Sequence, residues 1–400
     1  MHTLTRFALV AFSLALQLAA AELRWWKGNL HTHSLWSDGD DFPEMIASWY
    51  KEQGYHFLAL SDHNVLLEGQ RWIHADTNRG GAKALDRYLQ KFGTNWVELR
   101  TTNNTRQVRL KPLPEFRTLL EEPQRFLMIP SEEITDRHGL APVHMNVTNP
   151  REFIKPSGGN SVLEVMQNNV NAVLKQRQET GQPMFPHLNH PNFGWGVKAE
   201  DLMRVEGEKF FEVYNGHPQV NNDGDARRPS TDKMWDIILA YRLNQPAREI
   251  MYGIGVDDSH HYFNQGPAMS NSGRGWVMVR ARYLTPEHII HAMEAGDFYA
   301  SSGVELVDVR RTENDLRLEI KPSAGVKYRT QFIGTLASTS PSPEIGAVLK
   351  EVEGSLATYS FSGQELYVRA KIISDRRKPN GVGTTEVECA WIQPHLPKPR

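Results

Sequence analysis

The stretch Trp25-Trp26-Lys27-Gly28-Asn29-Leu30-His31-Thr32-His33 is a short, largely apolar run that ends on two histidines spaced two residues apart. Alternate residues of an extended chain share a face, so a strand here projects both imidazoles to one side. The same design recurs down the chain. Residues 57–60 run into Ser61-Asp62-His63-Asn64, and residues 126–130 run into Ser131-Glu132-Glu133. The run 142–147 contains His144, 184–189 leads to His190, and 251–256 leads to Asp257-Asp258-Ser259-His260. Helical stretches lie between these runs. Residues 43–53 open on a proline and stop at Gly54, and residues 161–179 place Val162, Val165, Met166, Val170 and Val173 on one side. Residues 231–243 and 285–295 behave alike. From 23 to 303 the chain therefore reads as an α/β domain of repeating βα units. In a βα barrel the C-terminal strand ends share one face, so these scattered polar residues are expected to converge there.

Two regions depart from the rhythm. Residues 66–123 are too long for a βα loop, with a helical stretch at 82–90 and a hairpin of 96–100 and 107–110 around 101–106. They read as an insertion over the barrel mouth, where loops carry specificity, or as a passive excursion. After Gly303 come short strand-like runs at 304–309, 316–320, 328–332, 357–361, 366–373 and 386–392, with turns at 338–343 and 379–383. Residues 304–400 thus read as a small all-β, sandwich-like domain suited to packing or partner contact.

The 400 residues carry a formal charge of −2, which gives no electrostatic footprint for nucleic acid. Arg6 precedes an apolar run over 7–21 that ends Ala19-Ala20-Ala21, the pattern of a signal peptide with its cleavage site. The run is too short to favour a membrane span, and none is expected once it is removed. The single cysteine, Cys389, rules out an intrachain disulfide, so export points to a bacterial periplasm or secretion. The chain holds 16 histidines, and all but His2 and His395 lie between His31 and His291. His56, His74, His138, His187, His288 and His291 fit no motif and read as structural or surface residues. The mix of imidazole and carboxylate suits Zn, Mn or Fe rather than the all-oxygen shells of Ca or Mg.

These motifs resemble those of the PHP (polymerase and histidinol phosphatase) domain proteins, metal-dependent phosphoesterases on a distorted seven-stranded βα barrel. The resemblance covers residues 25–303. It runs through His31-x-His33 with Asp38, Asp62-His63-Asn64, Glu133 followed by Ile134-Thr135, His144, His190-Pro191 and Asp258-x-His260. It implies three divalent ions: one on His31, His33, Glu133 and Asp258, a second sharing Glu133 with His144 and His190, and a third on Asp38, His63 and His260. The doubled letters Glu132-Glu133, Asp257-Asp258 and His260-His261 leave the register open by one residue at each place. A carboxylate bridging two ions, here Glu133, would hold an activated water for in-line attack on a small phosphorylated substrate. His217 and His261 are candidates for protonating the leaving group, and Arg274 for gripping phosphate. Asn64 and Asn192 are expected to orient His63 and His190. Two other readings stand beside this one. An amidohydrolase-type hydrolase also opens on His-x-His, but its strand-end lysine has no good match in Lys27, Lys155 or Lys175. A non-catalytic exported protein that binds metal or sugar is the third.

Overall fold

The computed structural model describes residues 22–247, 249–337, 344–383 and 385–397. The signal-peptide expectation for 1–21 and the turn at 338–343 lie outside them. Strand β1 (Arg24–Asn29) leads to helix α1 (Pro43–Glu52) and then β2 (Phe57–Ala59), which pairs parallel to β1. Gly28 is needed at this contact, because a Cβ there would meet the Phe57 ring at 2.1 Å. The insertion supplies β3 (Arg71–His74), α2 (Gly81–Phe92), β4 (Leu99–Thr102), β5 (Thr105–Leu110) and α3 (Leu113–Leu120). The hairpin turn is tighter than its sequence suggested. Asn103 and Asn104, at φ +51° and +60°, make a two-residue turn whose left-handed geometry asparagine tolerates. Strand β3 and helix α3 went unanticipated, although Pro112-Leu113-Pro114 carries a helix-start signal.

Strand β6 (Leu127–Ile129) pairs parallel to β2, and Pro130 separates it from β7 (Ser131–His138). Here the βα rhythm breaks. Strands β7 and β8 (Ala141–Thr148) form a hairpin with no helix between them, and β8 also runs antiparallel to β9 (Phe185–Leu188) after helix α4 (Val162–Thr180). Parallel pairing resumes with α5 (Ala199–Leu202), β10 (Phe210–Asn215), α6 (Thr231–Leu243) and β11 (Tyr252–Val256). The sheets meet at their ends through bridges between Thr32 and Ser259 and between His63 and Glu133.

Strand β12 (Trp276–Ala281), helix α7 (Pro286–Glu294) and β13 (Phe298–Ser301) follow, with β12 antiparallel to β1. Then come β14 (Leu306–Arg311), β15 (Asp315–Ile320), β16 (Tyr328–Leu336), β17 (Ala347–Glu353), β18 (Leu356–Ser360), β19 (Glu365–Arg377) and β20 (Val387–His395). The fold is mixed α/β, with seven helices among the described residues. Strand β20 pairs with β13, so one nine-stranded sheet runs β17-β16-β19-β20-β13-β12-β1-β2-β6. The all-β C-terminal segment is thus continuous with the sheet that carries the first histidines. Its residues Val309, Phe332 and Ile372 share a core with Ile46, Tyr88 and Phe116. A buried ion network adds to the junction. Arg369 of β19 reaches both oxygens of Asp236 on α6 at 2.7 Å, and Tyr367 donates to the same carboxylate at 2.8 Å.

Breaking a buried pair on one side leaves the other charge uncompensated, at a cost of about 3–5 kcal/mol. Arg369 keeps a partial partner in Asp232, 3.2 Å away, so Asp236→Ala is expected to lower the melting temperature by less than that full cost implies, and the double variant Asp236→Leu/Arg369→Met to recover much of the loss. A second prediction concerns Glu208, whose Oε2 is buried without a hydrogen bond. Burial pushes its carboxyl up from an ordinary value of 4.5 to about 8. Between those values the folded protein keeps a proton that the unfolded chain has released, so stability falls as pH rises through that window. Glu208→Gln removes the effect, and should raise the melting temperature relative to the parent at pH 8.5 but not at pH 5.

Candidate metal centre

The two histidines that follow β1 are fully buried. Thr32 between them faces the opposite way, where its hydroxyl meets Ser259 Oγ at 2.5 Å and Tyr262 OH at 2.7 Å. His31 Nε2 and His33 Nε2 stand 3.1 Å apart. Asp258 Oδ1 lies 3.3 Å and 3.4 Å from these two nitrogens, and Glu133 Oε2 lies 3.5 Å and 3.3 Å from them. Four donors at ~2.0–2.1 Å from a tetrahedral ion are separated by about 3.3 Å. The five spacings are close to that separation; His31, His33 and Asp258 form one candidate group, and Glu133 joins His31 in another with His190. Asp258 adopts φ +50° to take part, a strained conformation for a non-glycine residue, and its amide donates to His31 O at 3.0 Å. Glu133 is fixed by its own backbone, which exchanges hydrogen bonds with Asp62 and Asn64. Its Oε2 is buried and accepts no hydrogen bond, an orphan that a cation would satisfy.

Two further groupings flank this one. On one side, Glu133 Oε1 lies 2.9 Å from His144 Nδ1 and 3.7 Å from His190 Nε2. On the other, Asp38 Oδ1 lies 3.2 Å from His260 Nε2, 3.5 Å from His63 Nε2 and 3.7 Å from His33 Nδ1. His63 Nδ1 also approaches Glu133 Oε2 at 2.9 Å. The structure thus brings together His31, His33, Asp38, His63, Glu133, His144, His190, Asp258 and His260, with Glu133 shared between His31 and His190 on one hand and His63 and His144 on the other; a further group behind them joins His31 to His187 and Glu212.

At the doubled letters, neighbouring residues face opposite ways. Glu132 turns away from the cluster and accepts the Ile154 amide at 2.7 Å. Asp257 takes the amides of Gly273, Arg274 and Gly275 and the Tyr50 hydroxyl. His261 Nδ1 lies 3.1 Å from Ser270 Oγ, outside every grouping. His217 is beside the cluster, its ring 5.5 Å from that of His260. Arg274 does not present its guanidinium as a phosphate grip. It is buried and donates to the carbonyls of Asn380, Gly216 and Gly266, so it pins loops together. Asn64 is also a backbone clamp, exchanging hydrogen bonds with the main chain of Thr135. Asn192 bonds the carbonyls of Asn221 and Pro229 rather than His190.

The electrostatics suit a cation. Burial opposes charge on Glu133, yet His63, His144 and His31 together hold its carboxyl well below the usual range. Burial, with His260 and His63 nearby, pushes His33 down to about 3, which leaves it the neutral imidazole that metals require. Burial likewise resists charging His63, but Glu133 and Asp38 raise it to about 9.

Several residues escaped the sequence reading. Glu212 of β10 meets His31 Nδ1 at 2.6 Å and His187 Nε2 at 3.4 Å. Its signal was present, as a lone carboxylate inside the apolar run Phe210-Phe211-Glu212-Val213-Tyr214. Arg79, from the insertion, donates to Asp38 O at 2.7 Å while 61% of its side chain stays exposed. Asn78 shapes the turn that presents it by accepting the amides of Gly80 and Gly81. A Cβ at Gly80 would strike Asp40 O, so this glycine lets the insertion lie against the Asp38 loop.

No family model matches the chain. A segment of 71 residues, 18% of the chain, is 34% identical to the DNA polymerase/3'-5' exonuclease PolX of Bacillus subtilis, and the match spans only 12% of that protein's length. Among solved structures, the chain is similar to a two-domain protein from Bacteroides vulgatus described as containing a predicted PHP-like metal-dependent phosphoesterase. The identity is 14% and the TM-score 0.39, over 93% of this chain and 95% of that one. A protein from Bifidobacterium adolescentis, provisionally described as a metal-dependent phosphoesterase, is 12% identical with a TM-score of 0.29, over 60% of this chain and 89% of that one.

A ligand that binds only the folded state stabilises it, by about 4 kcal/mol at 1,000 times its Kd. Chelation of the purified protein is therefore expected to lower its melting temperature, and added Zn or Mn to restore it. In Glu133→Ala that difference should shrink to near zero, as read by thermal unfolding with and without chelator.

Proposed function

We propose that this protein is a metal-dependent hydrolase of phosphate mono- or diesters, built around up to three divalent ions of Zn, Mn or Fe. The observation that carries this reading is the convergence of Glu133 and Asp258 on the Nε2 atoms of His31 and His33, with the Glu133 Oε2 atom buried and without a hydrogen bond. The second ion would lie with Glu133, His144 and His190, and the third with Asp38, His63 and His260. Bound ions would supply an acidified water and Lewis-acid stabilisation of the charge that grows on the phosphoryl oxygens. A seven-stranded, distorted βα barrel is supported by the two bridges that join the sheets, if β6 and β7 count as one strand bent at Pro130.

The protein's own groups set the approach. His31, His33 and Glu133 have no exposure, whereas Asp38 and His63 keep 32% and 27% of their side chains open, so substrate enters on that side. Arg79 stands there with free N–H groups for a phosphate oxygen. His217 accepts the Gln219 amide on Nδ1, which leaves its proton on Nε2. Burial holds it down to about 4, so at neutral pH it is a neutral imidazole whose Nε2–H can hydrogen-bond the leaving-group oxygen but not protonate it. His261 accepts the Ser270 amide in the same manner and is the second candidate donor. The formal charge of −2 favours a small phosphorylated substrate over nucleic acid. The run at 7–21 supports an exported, periplasmic or secreted protein. We take 22–303 as the catalytic unit and 304–400 as its all-β accessory part. The amidohydrolase alternative is the weaker, because Lys27 lies 4.0 Å from both the Tyr55 and Trp276 rings, and Lys155 and Lys175 are exposed.

The test is a screen of metal-replete protein on phosphomonoesters, phosphodiesters and amides. Release of phosphate or alcohol is expected, with His33→Ala and Asp258→Asn each inactive. Turnover that persists in both variants, or amide cleavage without phosphate release, contradicts the reading. Arg79→Ala should raise KM by about tenfold with metal content unchanged, the value of one charge-assisted hydrogen bond.

A further inference from the structure

Strand β10 holds two polar side chains with no exposure, Glu212 and Asn215, that are absent from the nine clustered residues. Every group that meets the Glu212 carboxylate closely is a donor. Oε1 stands 2.6 Å from His31 Nδ1. Oε2 accepts the His190 backbone amide at 2.7 Å and the Asn215 side-chain amide at 2.8 Å. The 2.6 Å contact is a hydrogen bond rather than shared ligation, since ligand atoms on one ion at ~2.0–2.1 Å stand about 3 Å or more apart. Asn215 extends the set. Its Oδ1 accepts the His217 amide at 2.8 Å, which fixes its Nδ2 toward Glu212 and toward Asp258 Oδ2 at 3.0 Å. Its main chain is clamped in turn by Asn222, which accepts the Asn215 amide and donates to its carbonyl.

We infer that Glu212 and Asn215 are the positioning residues of the metal centre, setting His31, His190 and Asp258 into ligating geometry from behind. This rests on the cluster being a metal centre. Glu212 accepts a hydrogen bond from His31 Nδ1–H, which keeps the proton on Nδ1 and leaves the lone pair of His31 facing the cluster on Nε2, beside His33 Nε2. Through the His190 amide it fixes where the chain turns after β9. Through Asn215 it holds the second oxygen of Asp258, which turns Oδ1 toward His31 and His33. A carboxylate is required, because three donors converge on it. Glutamine has the same shape but must present an N–H to one of them, so either His31 or the His190–Asn215 side loses its acceptor. His187 Nε2 approaches the same Glu212 Oε1 at 3.4 Å but neither of its ring nitrogens is in a hydrogen bond, so the 2.6 Å contact from His31 is the one that oxygen makes.

The inference is tested by titrating chelator-stripped protein with Co(II), whose visible bands report donor set and geometry, alongside thermal unfolding of the stripped form. Parent protein that binds no Co(II) would refute the metal centre itself, separately from this inference. With binding established, Glu212→Gln is expected to weaken the tightest Co(II) site by about 10- to 100-fold and to shift its bands. The melting temperature of the stripped protein should stay near that of the parent. Asn215→Ala should weaken the same site by a smaller factor. Unchanged Co(II) affinity in both variants overturns the inference, and so does a lowered melting temperature with affinity intact, which is the mark of a purely structural role. If Glu212→Gln fails to fold, Asn215→Ala decides alone by the same criterion.

Discussion

The structure turns on one oxygen atom. Glu133 Oε2 is buried and has no hydrogen bond, and it lies within 3.5 Å of nitrogens from His31, His33 and His63. An ionised carboxylate in such a place costs several kcal/mol unless positive charge compensates it. Protonated imidazoles provide part of that charge, which is why Glu133 stays ionised while His63 is raised. Yet burial keeps His33 neutral, so protons alone leave the pocket's innermost imidazole uncharged. A divalent ion resolves both demands, because it takes neutral imidazoles and carboxylates together.

The scaffold serves that constraint by bringing strand ends to one place and making them stiff. Backbone hydrogen bonds from Asp258 to His31 and from His33 to Ser259 tie the end of β11 to the end of β1. The exchange between Asn64, Asp62 and Glu133 ties β2 to β7. Asp257, the near-twin of Asp258, organises the loop that follows by accepting three consecutive amides. Outward from there, the C-terminal strands extend the sheet of β1 through β12 and β13, and Arg369 with Asp236 locks them to α6. The cluster is therefore backed by a nine-stranded sheet.

Much of this was legible in the sequence, and the reasons are physical. His31 and His33 could be read because a two-residue spacing has one meaning on a strand. The strand runs and the helices over 43–53, 161–179 and 231–243 could be read because buried elements keep their periodicity. The choice between Glu132 and Glu133, or Asp257 and Asp258, could not, since identical letters side by side differ only in which way the chain turns. The β7–β8 hairpin was hidden because its strands read like the ends of two separate βα units. The continuity of the sheet past 303 was hidden because pairing between distant strands leaves no local pattern. Arg274 misled for a related reason: an arginine's sequence context does not say whether its donors face a substrate or three carbonyls. Glu212 was visible as an acid in an apolar strand, but its partners come from three other segments.

The most direct measurement is an anomalous difference map from crystals of metal-replete protein, recorded on both sides of the absorption edge of the bound element. The account predicts a peak enclosed by His31 Nε2, His33 Nε2, Glu133 Oε2 and Asp258 Oδ1. Metal that is absent from that position in replete crystals, with the four side chains placed as they are here, would contradict it.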